Sequence, residues 1–162
     1  MDNIFDVAEF VIEHSTKEDK ELSTMRLHKL LYYCQAWHIV FEGEEMFSDP
    51  FHAWASGPIA PTIMNKNKHK GVFSVFPGFF QGCPKKVSYK AQTTIEAILQ
   101  AYGHLSGIQL CTVSVGESPW QKARRKSGAI PGYTTDILVS IEDMEKFYSQ
   151  QYQEWKNSDL LV

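Results

Sequence analysis

Residues 25–37, which read MRLHKLLYYCQAW, restrict the fold of this chain more than any other segment. At helical spacing their apolar side chains, together with those just downstream, form two stripes rather than one. The first stripe is Leu27, Leu30, Leu31, Cys34, Trp37 and Phe41, and the second is Tyr33, Ala36, Ile39 and Val40. A helix that is apolar on most sides must be covered on most sides. The sequence therefore predicts a buried central helix over 23–42, ended by Gly43.

The remaining pattern predicts a mostly α-helical domain packed around this central helix. Further helices are expected over 2–14 with Asp2 as N-cap, in a short stretch that carries Pro61, and over 89–102, 105–115, 118–128 and from Ser140 onward. Ser118, Pro119 and Gln121 match a capping box with proline at the first helical position. One short hairpin is expected near 46–55, around Asp49-Pro50, and the aromatic loop 71–87 should pack on the body. We expect six or seven helices in a single domain, 1–154, followed by a frayed tail, 155–162.

Charge and cysteine usage restrict the setting in which the chain works. The 16 Lys and Arg against 19 Asp and Glu give a net charge of −3, which argues against general attraction to nucleic acid or to an anionic membrane. Cys34, Cys83 and Cys111 are odd in number and widely spaced, as is typical of a reducing compartment. The acidic N-terminus does not resemble a signal peptide, and the apolar run over 30–41 is shorter than the roughly 20 residues that span a bilayer. These features predict a cytoplasmic protein without a membrane segment.

No recognisable set of catalytic or metal-binding residues accompanies this pattern. Cys34 and His38 share a helix face, as metal ligands often do, but His28 points elsewhere and the other histidines add no spacing signature. Ser118 is explained by capping rather than by a nucleophile elbow, and a glycine-rich phosphate loop is missing. We therefore expect no enzymatic activity, no cofactor and no metal.

Four ordered motifs resemble the Panacea domain family, which includes SocA-type antitoxins and phage-associated GepA-like proteins. Residues 25–33 resemble the family's M-x-L-x-K-L-L-Y helix, and 53–59 resemble its A-W-x-x-G-P-V element. Tyr102-Gly103 before Leu110, and residues 117–120 with Ala123-Arg124, resemble its C-terminal motif. The resemblance covers residues 3–150 and implies an antitoxin that neutralises a toxin, encoded by a neighbouring gene, through direct binding. In one branch of the family it implies instead a proteolytic adaptor, with a protease as a second partner.

The chain departs from the family pattern at Ser114 and Val115, where relatives usually carry Thr-His. Any chemistry that depends on that histidine in relatives would be missing here. The chain is also little more than the domain itself, which makes direct operator binding doubtful.

Side chains within these motifs and in the aromatic loop are candidates for contact with a partner, and each also has a purely structural interpretation. Arg26 and Lys29 are solvated charges, anchors for an acidic partner, or internal partners of Glu117. Trp54 is either a structural residue of a turn or a side chain that the turn presents to a partner. The second interpretation follows from the frequency of tryptophan and arginine in binding hot spots. The aromatic loop forms a satellite core or an apolar patch that a partner covers. The candidate partner-binding residues are Arg26, Lys29, Trp54, Gly57, Pro58, Phe76, Phe79, Trp120 and Arg124.

Three alternatives to the toxin-binding hypothesis stay open at this stage. A proteolytic adaptor would need an accessible tail, for which 155–162, ending in Leu160-Leu161-Val162, is the candidate. An enzyme with an unrecognised polar site would bring Arg26, Lys29, Tyr32 and Glu117 together in a cleft. The basic clusters at 66–70 and 122–126 could contact nucleic acid, although on an acidic chain such clusters more often form a solvated face or dock an acidic protein.

Overall fold

The computed structural model describes residues 1–15, 22–68 and 73–159, and it confirms a mostly α-helical domain. The described residues form seven α-helices and two small antiparallel strand pairs. The helices are α1 (Ile4–Ser15), α2 (Thr24–Glu42), α3 (Pro61–Lys68), α4 (Tyr89–Tyr102), α5 (Gly107–Val115), α6 (Ser118–Ser127) and α7 (Ile141–Asp159). The strands are β1 (Leu22–Ser23), β2 (His52–Trp54), β3 (Gly57–Ile59) and β4 (Ser74–Val75).

Helix α2 is the buried axis that its two apolar stripes predict. It contacts α1, α4, α5 and α7, and nearly all of its residues from Leu27 to Ile39 are buried. Ser23 caps its start by accepting a hydrogen bond from the Arg26 N–H, and Gly43 ends it in the left-handed region at φ 72°. Gly128 ends α6 in the same left-handed region at φ 62°, whereas Gly103 ends α4 with right-handed helical backbone at φ −63°.

The hairpin lies later in the chain than the sequence predicts. Strands β2 and β3 pair across Ala55-Ser56, not around Asp49-Pro50, with Trp54 opposite Gly57. The segment before them is held elsewhere: the buried Gln35 side chain binds the backbone of Met46 and Phe47. Asp49 accepts a hydrogen bond of 2.6 Å from Thr62 Oγ1 at the start of α3. The Gln35 contacts use backbone groups of Met46 and Phe47 that a hairpin at 46–55 would have needed for pairing.

Two predicted caps are wrong. Asp2 does not cap α1, which begins at Ile4; its carboxylate instead accepts hydrogen bonds from Ser88 N and Oγ at 2.7 and 2.8 Å. The expected Ser118–Gln121 capping box does not form, because α6 begins at Ser118 itself and the Gln121 amide donates to the Val115 carbonyl. The same Ser-x-x-Gln pattern forms a true capping box one helix earlier, at Ser106 and Gln109.

Only part of the aromatic loop packs on the body of the domain. Phe79 and Phe80 are buried, whereas Phe73 and Phe76 are exposed. The buried Glu9 carboxylate of α1 accepts hydrogen bonds from the Gly78 and Phe80 N–H groups and holds this turn in place. The pairing of β4 with β1, which the sequence did not predict, anchors the start of the loop.

The last helix continues past the end expected for the domain. Helix α7 runs without interruption beyond Glu154 to Asp159. The predicted tail residues Leu160-Leu161-Val162 lie outside the described part of the chain, as do His69 and Lys70 of the 66–70 cluster.

Candidate functional site

The motif residues of α2 and of the hairpin meet at one buried joint. Lys29 is fully buried, and its Nζ donates a 3.0 Å hydrogen bond to the Pro58 carbonyl. Gly57 has φ +100°, and a Cβ at this position would lie 2.7 Å from Ser114 Oγ and 2.9 Å from Lys29 Cε. Only glycine fits both this backbone conformation and this close approach. Ser114, at one of the two positions where the chain departs from the family pattern, is thus part of the contact.

The two basic candidates of α2 do not pair with Glu117. The Arg26 guanidinium donates to the Gly103 carbonyl at the end of α4. Burial lowers the pKa of Lys29 from 10.5 to about 8, an effect that Cys111 partly opposes. Lys29 is thus held by a neutral carbonyl rather than by a carboxylate.

This depressed pKa predicts an unusual pH dependence of stability. Between about pH 8 and 10.5 the unfolded chain binds the Lys29 proton more tightly than the folded chain, so the Lys29 term makes folding more favourable as pH rises. From about pH 7 to about pH 9.5, the free energy of unfolding of the wild-type chain should rise by about 2 kcal/mol relative to that of Lys29→Met. Urea unfolding of both proteins across this range measures the difference. Equal pH profiles would show that Lys29 titrates normally.

Glu117 lies in a cluster of tyrosines instead of beside a cation. Its Oε2 accepts hydrogen bonds from Tyr33 Oη at 3.0 Å and from Tyr148 Oη at 2.6 Å. Burial raises the pKa of Glu117, although the two hydroxyl donors work in the opposite direction. Tyr33 stacks on Tyr102, whose hydroxyl accepts a hydrogen bond from Trp37 Nε1. The cluster joins α2, α4, α6 and α7.

The residues of the enzyme alternative do not form one hydrogen-bonded set. Arg26 and Lys29 bind two separate carbonyls, and in the described part of the chain neither donates to Tyr32 or Glu117. Tyr32 and Glu117 are linked to each other through the Tyr148 hydroxyl, at 3.4 and 2.6 Å.

Trp120 and Arg124 tie α6 to the hairpin and to the loop that follows α6. The Trp120 indole N–H donates to the Trp54 carbonyl at 2.8 Å. The Arg124 guanidinium lies over the Trp120 ring and donates to the carbonyls of Ala53, Ile130 and Tyr133. This one planar side chain therefore fixes both the hairpin and the loop through three acceptors.

The candidate partner-binding residues are thus distributed between the interior and the surface. Lys29, Gly57, Pro58, Phe79 and Arg124 are buried; Arg26, Trp54 and Trp120 are half-buried; Phe76 is exposed. Direct contact between a partner and the buried members would require the fold to open. Their role in partner binding stays a prediction.

The other candidate sites considered from the sequence have local structural partners. His38 Nδ1 is 2.9 Å from Thr94 Oγ1, and Cys34 is fully buried. Lys122 and Lys126 both lie within ion-pair distance of Asp143 on α7. Within residues 1–15, 22–68 and 73–159, no group of three or more His, Cys, Asp or Glu side chains could hold a metal ion. None of the described helices has the length and apolarity of a membrane span.

Sequence reasoning missed an apolar groove of about 720 Å³ beside the joint. It lies between the start of α2, the hairpin, α3 and the start of α5. Its large apolar lining residues are Met25, Trp54, Ile59, Met64, Phe73 and Ile108. Of these residues the sequence indicates only Trp54 as a candidate, because the lining comes from separate segments that share no motif.

Comparison with known proteins agrees with the motif resemblance. Residues 27–121 match the family described as antitoxin SocA-like, Panacea domain, and this range contains the joint, the hairpin and Glu117. The chain is 25% identical over 124 residues to the protein named Antitoxin SocA of Caulobacter vibrioides (strain NA1000 / CB15N). That match covers 70% of this chain and 66% of the relative, just under two thirds of the relative's length. No solved structure matches the chain. The matched range takes in more than half of the sequence, and the chain belongs to the SocA-like antitoxin family that is defined by the Panacea domain.

Proposed function

We propose that this chain is an antitoxin that neutralises a toxin encoded by a neighbouring gene, by binding it directly in the cytoplasm. The observation that carries the proposal is the family match over residues 27–121, together with similarity to a protein named as an antitoxin. On this proposal the chain blocks the toxin's working surface and performs no catalysis of its own.

The geometry of the joint supports a binding role over a catalytic one. Lys29 is bound by a carbonyl and Glu117 by two tyrosine hydroxyls, so the ionisable groups of the motifs are engaged in holding elements together. A general acid or base must reach the reacting atoms of a substrate. Rigid packing beneath an exposed surface is instead the arrangement that keeps a protein-binding face preorganised.

Co-expression with the protein encoded by the adjacent gene tests the proposal. Inducing that protein alone should arrest growth, and adding this chain should restore growth and yield one complex on size exclusion. A cell that carries the empty vector in place of this chain is the control. Continued growth arrest with both proteins present, and no complex, would contradict the proposal.

The same experiment separates direct neutralisation from proteolytic adaptation. Direct binding leaves the cellular amount of the toxin unchanged or higher, since the complex protects it. An adaptor would lower that amount, and toxin turnover would depend on a protease. Immunoblots of the toxin after protein synthesis is stopped measure the difference.

A further inference from the structure

Unpartnered polar atoms are concentrated around the apolar groove. Within the described residues, six side-chain nitrogen or oxygen atoms are sealed from solvent without a hydrogen-bond partner. Four of them belong to lining residues of the groove: His28 Nε2, Trp54 Nε1, and both amide atoms of Asn67. Buried polar groups are nearly always paired, and an unpaired one costs roughly 1–3 kcal/mol. This concentration of unpartnered polar atoms points to a ligand with polar groups at the groove.

The chemistry of these atoms shows what the ligand must supply. His28 Nδ1 accepts a hydrogen bond from the Ala60 N–H at 3.2 Å, and burial lowers the pKa of His28 to about 3. The neutral ring therefore carries its proton on Nε2, which is a donor, as is the Trp54 indole N–H. Side chains at interfaces commonly change rotamer on binding, and small rotations would bring these donors to the groove surface. A ligand that presents acceptor atoms, such as backbone carbonyls, satisfies His28 and Trp54. A peptide group, which offers both a carbonyl and an N–H, matches the Asn67 amide.

The rim of the groove favours a protein segment over a small molecule. Phe73 is 92% exposed, Ile108 75% and Met25 39%, and all three lie at the edge of the groove. A small molecule inside the groove would leave Phe73 and Ile108 in water. A polypeptide that continues across the rim would bury them as well, and burial of apolar surface is the main driving force of association.

The charge around the groove restricts the segment further. Its lining contains no Asp or Glu among the described residues, and Lys68 is the charged side chain at its edge. An aspartate or glutamate near the end of a bound segment would find a cation there. A lysine or arginine would find no counter-ion.

We propose that this groove is the docking site for an apolar segment of a partner protein, free of Lys and Arg, that places large side chains in the groove and backbone carbonyls against His28 and Trp54. That the partner is the toxin rests on the proposed function. The groove itself does not depend on that assignment.

Selection of random peptides displayed on phage against the full chain tests the groove directly. We expect the enriched peptides to be apolar and to lack Lys and Arg. The chain's methionines then report where they bind, because Met25 and Met64 line the groove whereas Met46 and Met144 are fully buried elsewhere. In spectra of ¹³C-methyl methionine, the peptides should shift Met25 and Met64 and leave Met46 and Met144 unchanged.

Matched surface variants supply the control. Phe73→Glu and Ile108→Glu change exposed rim residues and should weaken peptide binding by about tenfold or more, because a carboxylate replaces apolar contact area. Tyr89→Glu and Val113→Glu change exposed apolar residues outside the groove lining and should leave binding unchanged. If no selected peptide distinguishes the rim variants from the wild-type chain, or if the peptides shift only Met1, the proposal is overturned.

Competition decides whether the occupant is the toxin. The selected peptide should displace the adjacent-gene protein from its complex with this chain. If the complex persists at saturating peptide and in both rim variants, the toxin does not bind in the groove. The proposed antitoxin function would be unaffected by that result. Absence of any complex would count against the function, while the peptide measurements would still decide the groove.

Discussion

Replacing Arg124 with methionine should lower the free energy of unfolding by about 3–5 kcal/mol. Methionine keeps most of the apolar stem, but it removes the donors that bind the Ala53, Ile130 and Tyr133 carbonyls at 3.0, 3.0 and 2.6 Å. The buried Ala53 carbonyl would lose this donor at a cost of roughly 1–3 kcal/mol, and loss of the two part-buried contacts to the loop after α6 and of the stacking on Trp120 adds to it. Urea unfolding followed by tryptophan fluorescence measures the loss.

Two further variants test the cause of this loss. Arg125→Met changes an exposed arginine on the same helix, and it should alter stability by no more than about 0.5 kcal/mol. Arg124→Lys should recover little, because one ammonium group cannot reproduce the planar fork. If Arg124→Met and Arg125→Met unfolded at the same urea concentration, the three carbonyl contacts would contribute nothing measurable.

Replacing Glu117 with alanine should destabilise the fold by about 2–4 kcal/mol. The Tyr33 hydroxyl, which donates to this carboxylate at 3.0 Å, would lose its acceptor in the interior, and the Tyr148 hydroxyl would exchange its 2.6 Å bond for the more distant Tyr32 hydroxyl at 3.4 Å. Loss of a helix cap does not confound the measurement, because the Glu117 side chain makes no capping hydrogen bond to α6. Thermal and urea unfolding should both report the change.

Glutamine at position 117 separates hydrogen bonding from charge. Its amide oxygen can accept from one tyrosine and its NH₂ group can donate to the other, so Glu117→Gln should lose less than half of what alanine loses. Glu145→Ala, an exposed change on α7, should be nearly neutral. Equal losses for alanine and glutamine would mean that the carboxylate charge, rather than its hydrogen bonds, holds the tyrosines.

The predictions from sequence that succeeded concern local patterns. The two apolar stripes around 23–42 require a helix covered on most sides, and α2 is that helix. Ser23, Gly43 and Gly128 mark helix ends in the sequence because capping and left-handed backbone depend on residue type and near neighbours. The family motifs were also readable, since they are short and ordered along the chain.

The predictions that failed concern choices between competing partners. The hairpin lies at β2 and β3 because the Gln35 side chain binds the backbone at Met46 and Phe47, a contact 11 and 12 residues away in sequence. Asp2 accepts a hydrogen bond from Ser88, which is 86 residues away in sequence, and does not cap the helix that follows it. Sequence patterns show that a polar group needs a partner, but they do not show which of several distant groups lies near it.

The sequence by itself determined the central helix, the mostly α-helical class and the family, because each depends on the types of residues that lie close together in the chain. The tertiary structure alone decided that Lys29 would bind a carbonyl, that Glu117 would be held by two tyrosines, and that a groove would open beside Trp54. Each of these brings together side chains from segments far apart in the chain. Their contacts depend on how the packed helices fix distance and burial, which no local pattern encodes.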